Sequence, residues 1–233
     1  MIPGVEHHNT HVATAAVVTL GLVVLSVQGR LALGSGEKAV IPAGRLSIKG
    51  FFETLTEFIV SLTEMVLGPG HGHKYIPLFA SIFTFILVNN LVGLIPGMTP
   101  ATDNFNTTFA VGIFSFLAYN IIGIKAKGFK YIHDFLGHLP VTIWFIPLLI
   151  LMFFIELVSH LFRPVSLGLR LAGNMTGDHA VLGVFLEILP SWMVYWLPMV
   201  FYVLGLLVCF IQAFVFTLLS MAYVMMAQAH DDH

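Results

Sequence analysis

One helical face carries most of the groups in this chain that could move a proton or hold a charge in an apolar setting. Glu156, Ser159, His160, Arg163, Ser166, Arg170 and Asn174 recur at intervals of three and four residues, which places them on one side of a helix with about 3.6 residues per turn. Leu, Phe, Ile and Val fill the positions between them. An ionisable side chain at membrane depth costs at least about 2.5 kcal/mol, so it points to function unless a partner neutralises it. Glu156 and Arg163 can neutralise one another near an interface, or they can serve transport. Arg170 is different. The residues one turn away on its own helix are Ser166, Leu167, Gly173 and Asn174. A guanidinium stays charged at any accessible pH, so Arg170 requires a partner from elsewhere. Gly168, Ala172 and Gly173 are small enough to admit another helix closely, from this chain or from another. Further along stand Asp178, His179 and Glu187, and Gln212 lies in the last apolar run. The polar stripe suits protons better than a larger solute.

The elements that hold these groups must be membrane helices. Of 233 residues, 58% are apolar and 9% are charged, against about 25% charged in a typical soluble domain. A soluble enzyme, a disordered chain and a nucleic-acid-binding protein are excluded on that count. A single Cys excludes a disulfide scaffold or a multi-Cys metal site. His7, His8, His11, His71 and His73 fall in loop-like or terminal stretches without supporting Cys or acids, so they read as solvated. No cofactor or metal is expected.

The ten cations are Arg30, Lys38, Arg45, Lys49, Lys74, Lys125, Lys127, Lys130, Arg163 and Arg170. Eight of them lie in 30–74 and 125–130. Lys and Arg stay cytoplasmic, so this clustering sets topology. It predicts an outward N-terminus, a transmembrane helix over 12–29 and a cytoplasmic loop over 30–50. Over 50–67, Glu53, Glu57 and Glu64 share one face and large apolar residues fill the rest, which predicts a helix lying at the cytoplasmic interface. Spans over 75–96 and 105–124 follow, joined outside by a loop without Lys or Arg. A linker with His133, Asp134 and His138 leads to a long helix over 141–176. The polar sequence Thr176-Gly177-Asp178-His179 predicts a turn, then a short helix or turn over 180–189, then a long helix over 192–228 with a cytoplasmic C-terminus. The whole is one membrane domain of the all-α class. Residues 199–227 as a helix would measure about 44 Å, which a tilt of roughly 47° fits to a hydrocarbon core about 30 Å thick. The last two long helices are therefore expected to form a steeply tilted antiparallel hairpin. The alternative is ordinary tilt with ends standing in water. In the antiparallel arrangement Gln212 would reach the Arg170–Asn174 region.

Residues 163–179, RPVSLGLRLAGNMTGDH, resemble the signature of the a subunit of F-type ATP synthases. The likeness continues in Asn89-Asn90-Leu91 through Ile95-Pro96, in Glu156 ahead of Arg170, and in Ile211-Gln212-Ala213-Phe214, and covers about residues 50–228. It implies a fold of one transmembrane helix, an interfacial helix, two more transmembrane helices and two inclined ones. It also implies a function: a stator subunit in a bacterial plasma membrane, facing the rotating c-ring and held with the peripheral-stalk b subunits. Such a subunit is no enzyme on its own. It supplies two offset proton half-channels. Carried over residue by residue, Arg170 would be the stator arginine, with Asn174 and Gln212 beside the ring carboxylate. Glu156 and Ser159 would line the cytoplasmic exit, and His179 the external side. Relatives with His at that position carry an acid on the last helix, where this chain has Gly205. Asp178 or Glu187 would then supply the carboxylate.

Two other classes compete. A self-contained carrier or channel would need its own substrate site, commonly with inverted repeats, and no repeat is evident. A haem-binding electron carrier would need paired axial ligands inside spans, where His160 stands alone.

Overall fold

The computed structural model describes residues 10–33, 48–70, 72–95, 98, 100–128, 131, 146–188 and 197–228. Most of the expected loop at 30–50 with Lys38 and Arg45, the linker with Lys130, His133, Asp134 and His138, residues 141–145 and 189–196, His7, His8, His71 and the side chain of His179 lie outside them.

Six α-helices account for nearly all of the described chain: α1 Thr10–Leu33, α2 Ile48–Leu67, α3 Ile76–Gly93, α4 Phe105–Lys127, α5 Ile146–Ile188 and α6 Leu197–Gln228. All except α2 are long and apolar enough to cross a membrane. The protein is an all-α integral membrane protein. Helix α2 differs because its acids and its apolar residues segregate. Ile59, Leu62 and Thr63 are buried while Glu57 and Glu64 are exposed. Phe58 reaches from its buried side to Phe83 of α3 and to Phe210 and Phe214 of α6, with ring centroids 5.6, 6.0 and 6.2 Å apart. That aromatic cluster pins the interfacial helix to the bundle.

Helix α6 is the centre, touching α2, α3, α4 and α5. Ala213, Phe216, Met221 and Val224 of α6 meet Phe79, Ile86, Tyr119 and Leu171 in the core, each at most 1% exposed. Small polar groups tie helix to helix inside it. Ser220 donates to the Phe216 carbonyl at 3.0 Å, so the 2.8 Å contact between Ser115 and Ser220 has Ser115 as donor. On the outer side, Thr102 donates to Asn90 across 2.8 Å and secures the α3–α4 loop.

Helices α4 and α5 cross backbone to backbone. A Cβ on Gly112 would stand 2.6 Å from the Pro164 carbonyl oxygen. One on Gly168 would stand 3.1 Å from the Phe109 Cα. Without lipid–helix hydrophobic contrast, such close approach is how membrane helices gain packing energy.

Helix α5 corrects one expectation. The turn expected at Thr176–His179, with a separate short piece over 180–189, is absent: a single helix of 43 residues continues to Ile188. A Gly inside a helix costs only about 1 kcal/mol. Each backbone group left unpaired by a turn in an apolar medium would cost several times that, so the helix persists through Gly177. At about 1.5 Å per residue, α5 measures about 64 Å and α6 about 48 Å, both longer than a hydrocarbon core of about 30 Å. Apolar side chains stay exposed from Leu148 to Ile188 and from Met199 to Met226. Upright helices would strand the outermost of these in water, and inclination keeps them in lipid.

Candidate functional site

The α5–α6 pair runs antiparallel, as four contacts at successive levels show. Arg163 lies over the Tyr223 ring at 5.0 Å, Asn174 bonds Gln212, Asp178 abuts Gly205, and Phe185 meets Phe201 at 4.9 Å. This register distributes the polar residues of the stripe. At 100° per residue the stripe is about 120° wide, so it straddles the edge between core and surface. His160, at one margin, is 7% exposed. Arg163 and Glu156 are half-buried, while Ser159, Ser166 and Arg170 face outward. The stripe seen in sequence is therefore two sets and one isolated cation.

The inner set is nearer the Lys125 and Lys127 end of α4. Arg163 Nη2 is 3.6 Å from Glu156 Oε1, a loose ion pair. Its guanidinium also lies 5.9 Å from the Tyr119 ring centroid. Beside it, Asn120 Oδ1 accepts from Tyr131 at 2.9 Å and from His160 Nε2 at 2.9 Å; the acceptor-only oxygen places the imidazole proton on Nε2. Tyr119 Oη is 3.3 Å from the same nitrogen. Replacing His160 by Leu strips Asn120 of one donor in a buried site, and a stability loss of about 1–3 kcal/mol is expected. Thermal release of the subunit from the detergent-solubilised complex would register it as a lower midpoint.

The outer set is nearer the α3–α4 loop. Asn174 Nδ2 donates to Gln212 Oε1 at 2.5 Å. Gln212 is 4% exposed, and its Nε2 has no hydrogen-bond partner among the described residues. One turn outward, Asp178 is half-buried. Thr176 donates to Asp103 Oδ1 across 2.9 Å, bringing a loop carboxylate to the outer end. Glu187 is exposed near the end of α5, more than two turns beyond Asp178, and does not join this group.

Between the two sets the helix pair is dry. Leu167, Leu171, Ala213 and Phe216 are at most 2% exposed. Arg170 sits at that level on the outward face, with no ion pair or hydrogen bond to any described residue. Gly173 and Gly177 beside it have no neighbouring atoms within 4 Å of a would-be Cβ. Among the described residues, no side chain covers this face at Gly173 and Gly177.

Sequence reasoning had not singled out Asp103, Asn120, Tyr119 or Tyr131 as part of these sets. Asp103 could have been suspected as an acid in a cation-free outer loop. Tyr119 shares a face of α4 with Thr108, Gly112, Ser115 and Gly123, a small and polar stripe that could have flagged it, whereas Asn120 and Tyr131 carry no such signal.

A family model described as ATP synthase A chain matches residues 9–225. Among individual proteins, the chain is 54% identical over 232 residues to the ATP synthase subunit a of Bdellovibrio bacteriovorus, covering 99% of this chain and 96% of that one. It is 44% identical over 216 residues to the ATP synthase subunit a of Trichlorobacter lovleyi, covering 93% and 85%. It is 44% identical over 184 residues to that of Geobacter sulfurreducens, covering 79% and 74%.

Proposed function

This chain belongs to the ATP synthase A chain family, and from that premise we propose that it is the membrane stator whose Arg170 faces the carboxylates of a rotating c-ring, with an offset proton half-channel on either side. The observation that carries the reading is Arg170 itself: permanently charged, outward-facing on an apolar helix and unpaired among the described residues. A ring of helical carboxylates is the partner such a cation lacks. Arg170 favours the charged form of each carboxyl that comes near, so the carboxyl gives up its proton. In a low-dielectric setting the effect is strong, and the fixed charge bars a direct proton leak. Each proton carried through 100 mV supplies about 2.3 kcal/mol.

The dry layer of Leu167, Leu171, Ala213 and Phe216 supports the offset. A continuous polar path would let protons pass without turning the ring, whereas two separated sets require the proton to travel on it. The outer half-channel comprises His179 with Asp178 or Glu187, leading to Asn174 and Gln212 at the ring. The inner exit comprises Ser159 and Glu156, with Arg163 beside it. The Lys and Arg distribution supports an N-terminus outside and a cytoplasmic C-terminus, and the bacterial relatives support a bacterial plasma membrane setting. The five candidate spans among the described residues are consistent with termini on opposite sides. The b subunits of the peripheral stalk are expected as further partners.

The bare face at Gly173 gives a direct test. Cys209 is the chain's one cysteine and is 2% exposed, so background cross-linking is low. Gly173→Cys in the assembled complex is expected to form a disulfide with a cysteine placed one helical turn from the ring carboxylate. Cross-linking to other subunits but never to the ring would overturn the assignment of this face.

A further inference from the structure

Of the paired asparagines on α3, one has a clear structural task and the other does not. Asn90 accepts from Thr102 and secures the α3–α4 loop. Asn89 is fully buried, and its Nδ2 donates to the Phe85 carbonyl of its own helix at 2.8 Å. That bond fixes which end of the amide is nitrogen, because the Phe85 carbonyl can only accept. Asn89 Oδ1 has no hydrogen-bond partner among the described residues. One other buried side-chain atom among them shares that state, Gln212 Nε2. The two are complementary, since Oδ1 accepts and Nε2 donates. Packing brings them to one level. At its outer end α3 enters the seam between α5 and α6. A Cβ on Gly93 would run into the Met175 side chain of α5, and a Cβ on Gly205 of α6 would stand 2.7 Å from the Leu94 side chain. Asn89 lies one turn inward of Gly93 on the same side of α3, and Gln212 lies two turns inward of Gly205 on the same side of α6. From the Leu94–Gly205 contact, Asn89 is about 7.5 Å inward and Gln212 about 10.5 Å, at about 1.5 Å per residue. Their levels differ by about 3 Å, less than one helical turn of about 5.4 Å. Asn174, next to Met175, joins the group through its bond to Gln212 Oε1.

Buried polar atoms are almost always paired, with protein or with ordered water. An orphan donor and an orphan acceptor at one level of a three-helix junction are the polar lining that a buried water requires. We infer that one buried water bridges Asn89 Oδ1 and Gln212 Nε2, donating to the first and accepting from the second, and that Asn89 is thereby a positioning residue for the Gln212 amide. With Oε1 held by Asn174 and Nε2 held by the water, the amide is fixed at both ends. A water bridge of this kind is nearly as favourable in enthalpy as a direct hydrogen bond. The water site itself needs nothing from the stator reading. Its effect on pumping rests on that reading, which places Gln212 beside the ring carboxylate.

The first test is a water-resolving electron cryomicroscopy map of the complete complex in lipid nanodiscs. Density for one water is expected within about 3.2 Å of both Asn89 Oδ1 and Gln212 Nε2. No density there, or a direct bond between the two side chains, would overturn the bridge. The second test is ATP-driven proton pumping in inverted membrane vesicles, read by quenching of a pH-gradient dye, with the amount of a subunit read by immunoblot. Asn89→Leu keeps a branched shape and removes the acceptor. It is expected to slow pumping about tenfold per assembled subunit, less than the about hundredfold cost of a 1 Å misplacement, because Asn174 still holds Gln212 Oε1. Asn89→Ser, which leaves a hydroxyl and room for a second water, should recover most of the rate. In a Gln212→Leu background Asn89→Leu should cost nothing more, since members of one network are not additive. Parent-level pumping in Asn89→Leu, or a full further loss on adding it to Gln212→Leu, would overturn the positioning role. If Asn89→Leu lowers the amount of subunit, the map and Asn89→Ser decide. Arg170→Ala, run alongside, keeps the two levels apart: if it pumps, the stator reading fails, while the water stands or falls by the map.

Discussion

Arg170→Ala in the assembled complex is expected to reduce proton-driven ATP synthesis to background while leaving the subunit in the membrane. The energetics separate these two outcomes. A charge near the centre of a membrane helix costs about 2.5–3.5 kcal/mol on insertion scales. Arg170 recovers none of that through an ion pair or hydrogen bond with the described residues. Removing it takes no ion pair or hydrogen bond from the described residues, so the fold of this chain is expected to hold. On the stator reading proposed above, what disappears is the field that would drive the proton off an approaching ring carboxyl and block leakage between the half-channels. Arg170→Lys keeps a charge but loses the planar, multi-donor fork, so a severe defect is expected there as well. Subunit content by immunoblot, read together with synthesis under an imposed proton gradient, checks both statements. Retained synthesis in Arg170→Ala would remove the stator role from this residue.

Why that arginine stands out in the sequence, and why its surroundings do not, follows from where information lies in a membrane sequence. Charges are so costly in lipid that each has a reason, so the positions of ten cations among 233 residues carry an expectation of topology. Period and length are equally readable: the polar recurrence from Glu156 to Asn174 belongs to a helix, and α5 and α6 run 43 and 32 residues. The partners of α4 are not readable. In Phe105–Lys127 the buried Thr108, Gly112, Ser115, Tyr119 and Gly123 recur every three or four residues, a small and polar stripe that marks a packed face, but nothing in it says that Ser115, Tyr119 and Asn120 bond Ser220 and His160. That choice is made by the crossing with α5 and α6. The turn expected at Thr176–His179 failed for a related reason. Thr, Gly, Asp and His end helices in water, where freed backbone groups are solvated, but in an apolar medium the same residues remain helical because the alternative leaves backbone groups unpaired.

The same dependence on crossing makes Gly112 the most sensitive packing position. Its would-be Cβ stands 2.6 Å from a backbone oxygen, that of Pro164, and 3.6 Å from the Gly168 amide nitrogen. A flexible side chain could rotate away from an added methyl, whereas helix α5 can only move as a body. Overpacking costs about 1–3 kcal/mol even where neighbours adjust, and the larger end applies when the neighbour is backbone. Gly112→Val is accordingly expected to lose most of the a subunit from the complex, scored as subunit content in isolated membranes. Gly112→Ala is the more informative variant. It should push α5 away at residues 164–168, one turn before Arg170, and a displacement of about 1 Å in a positioned group can cost about a hundredfold in rate. Gly112→Ala should therefore assemble yet synthesise ATP poorly. The contrast is Gly21→Ala in α1, where nothing lies within 4 Å of the new Cβ and helix propensity improves by up to about 1 kcal/mol; assembly and synthesis there should match the parent. Equal behaviour of Gly112→Val and Gly21→Ala would show that the α4–α5 contact does not hold the arginine in place, and that Arg170 is positioned by its partner instead.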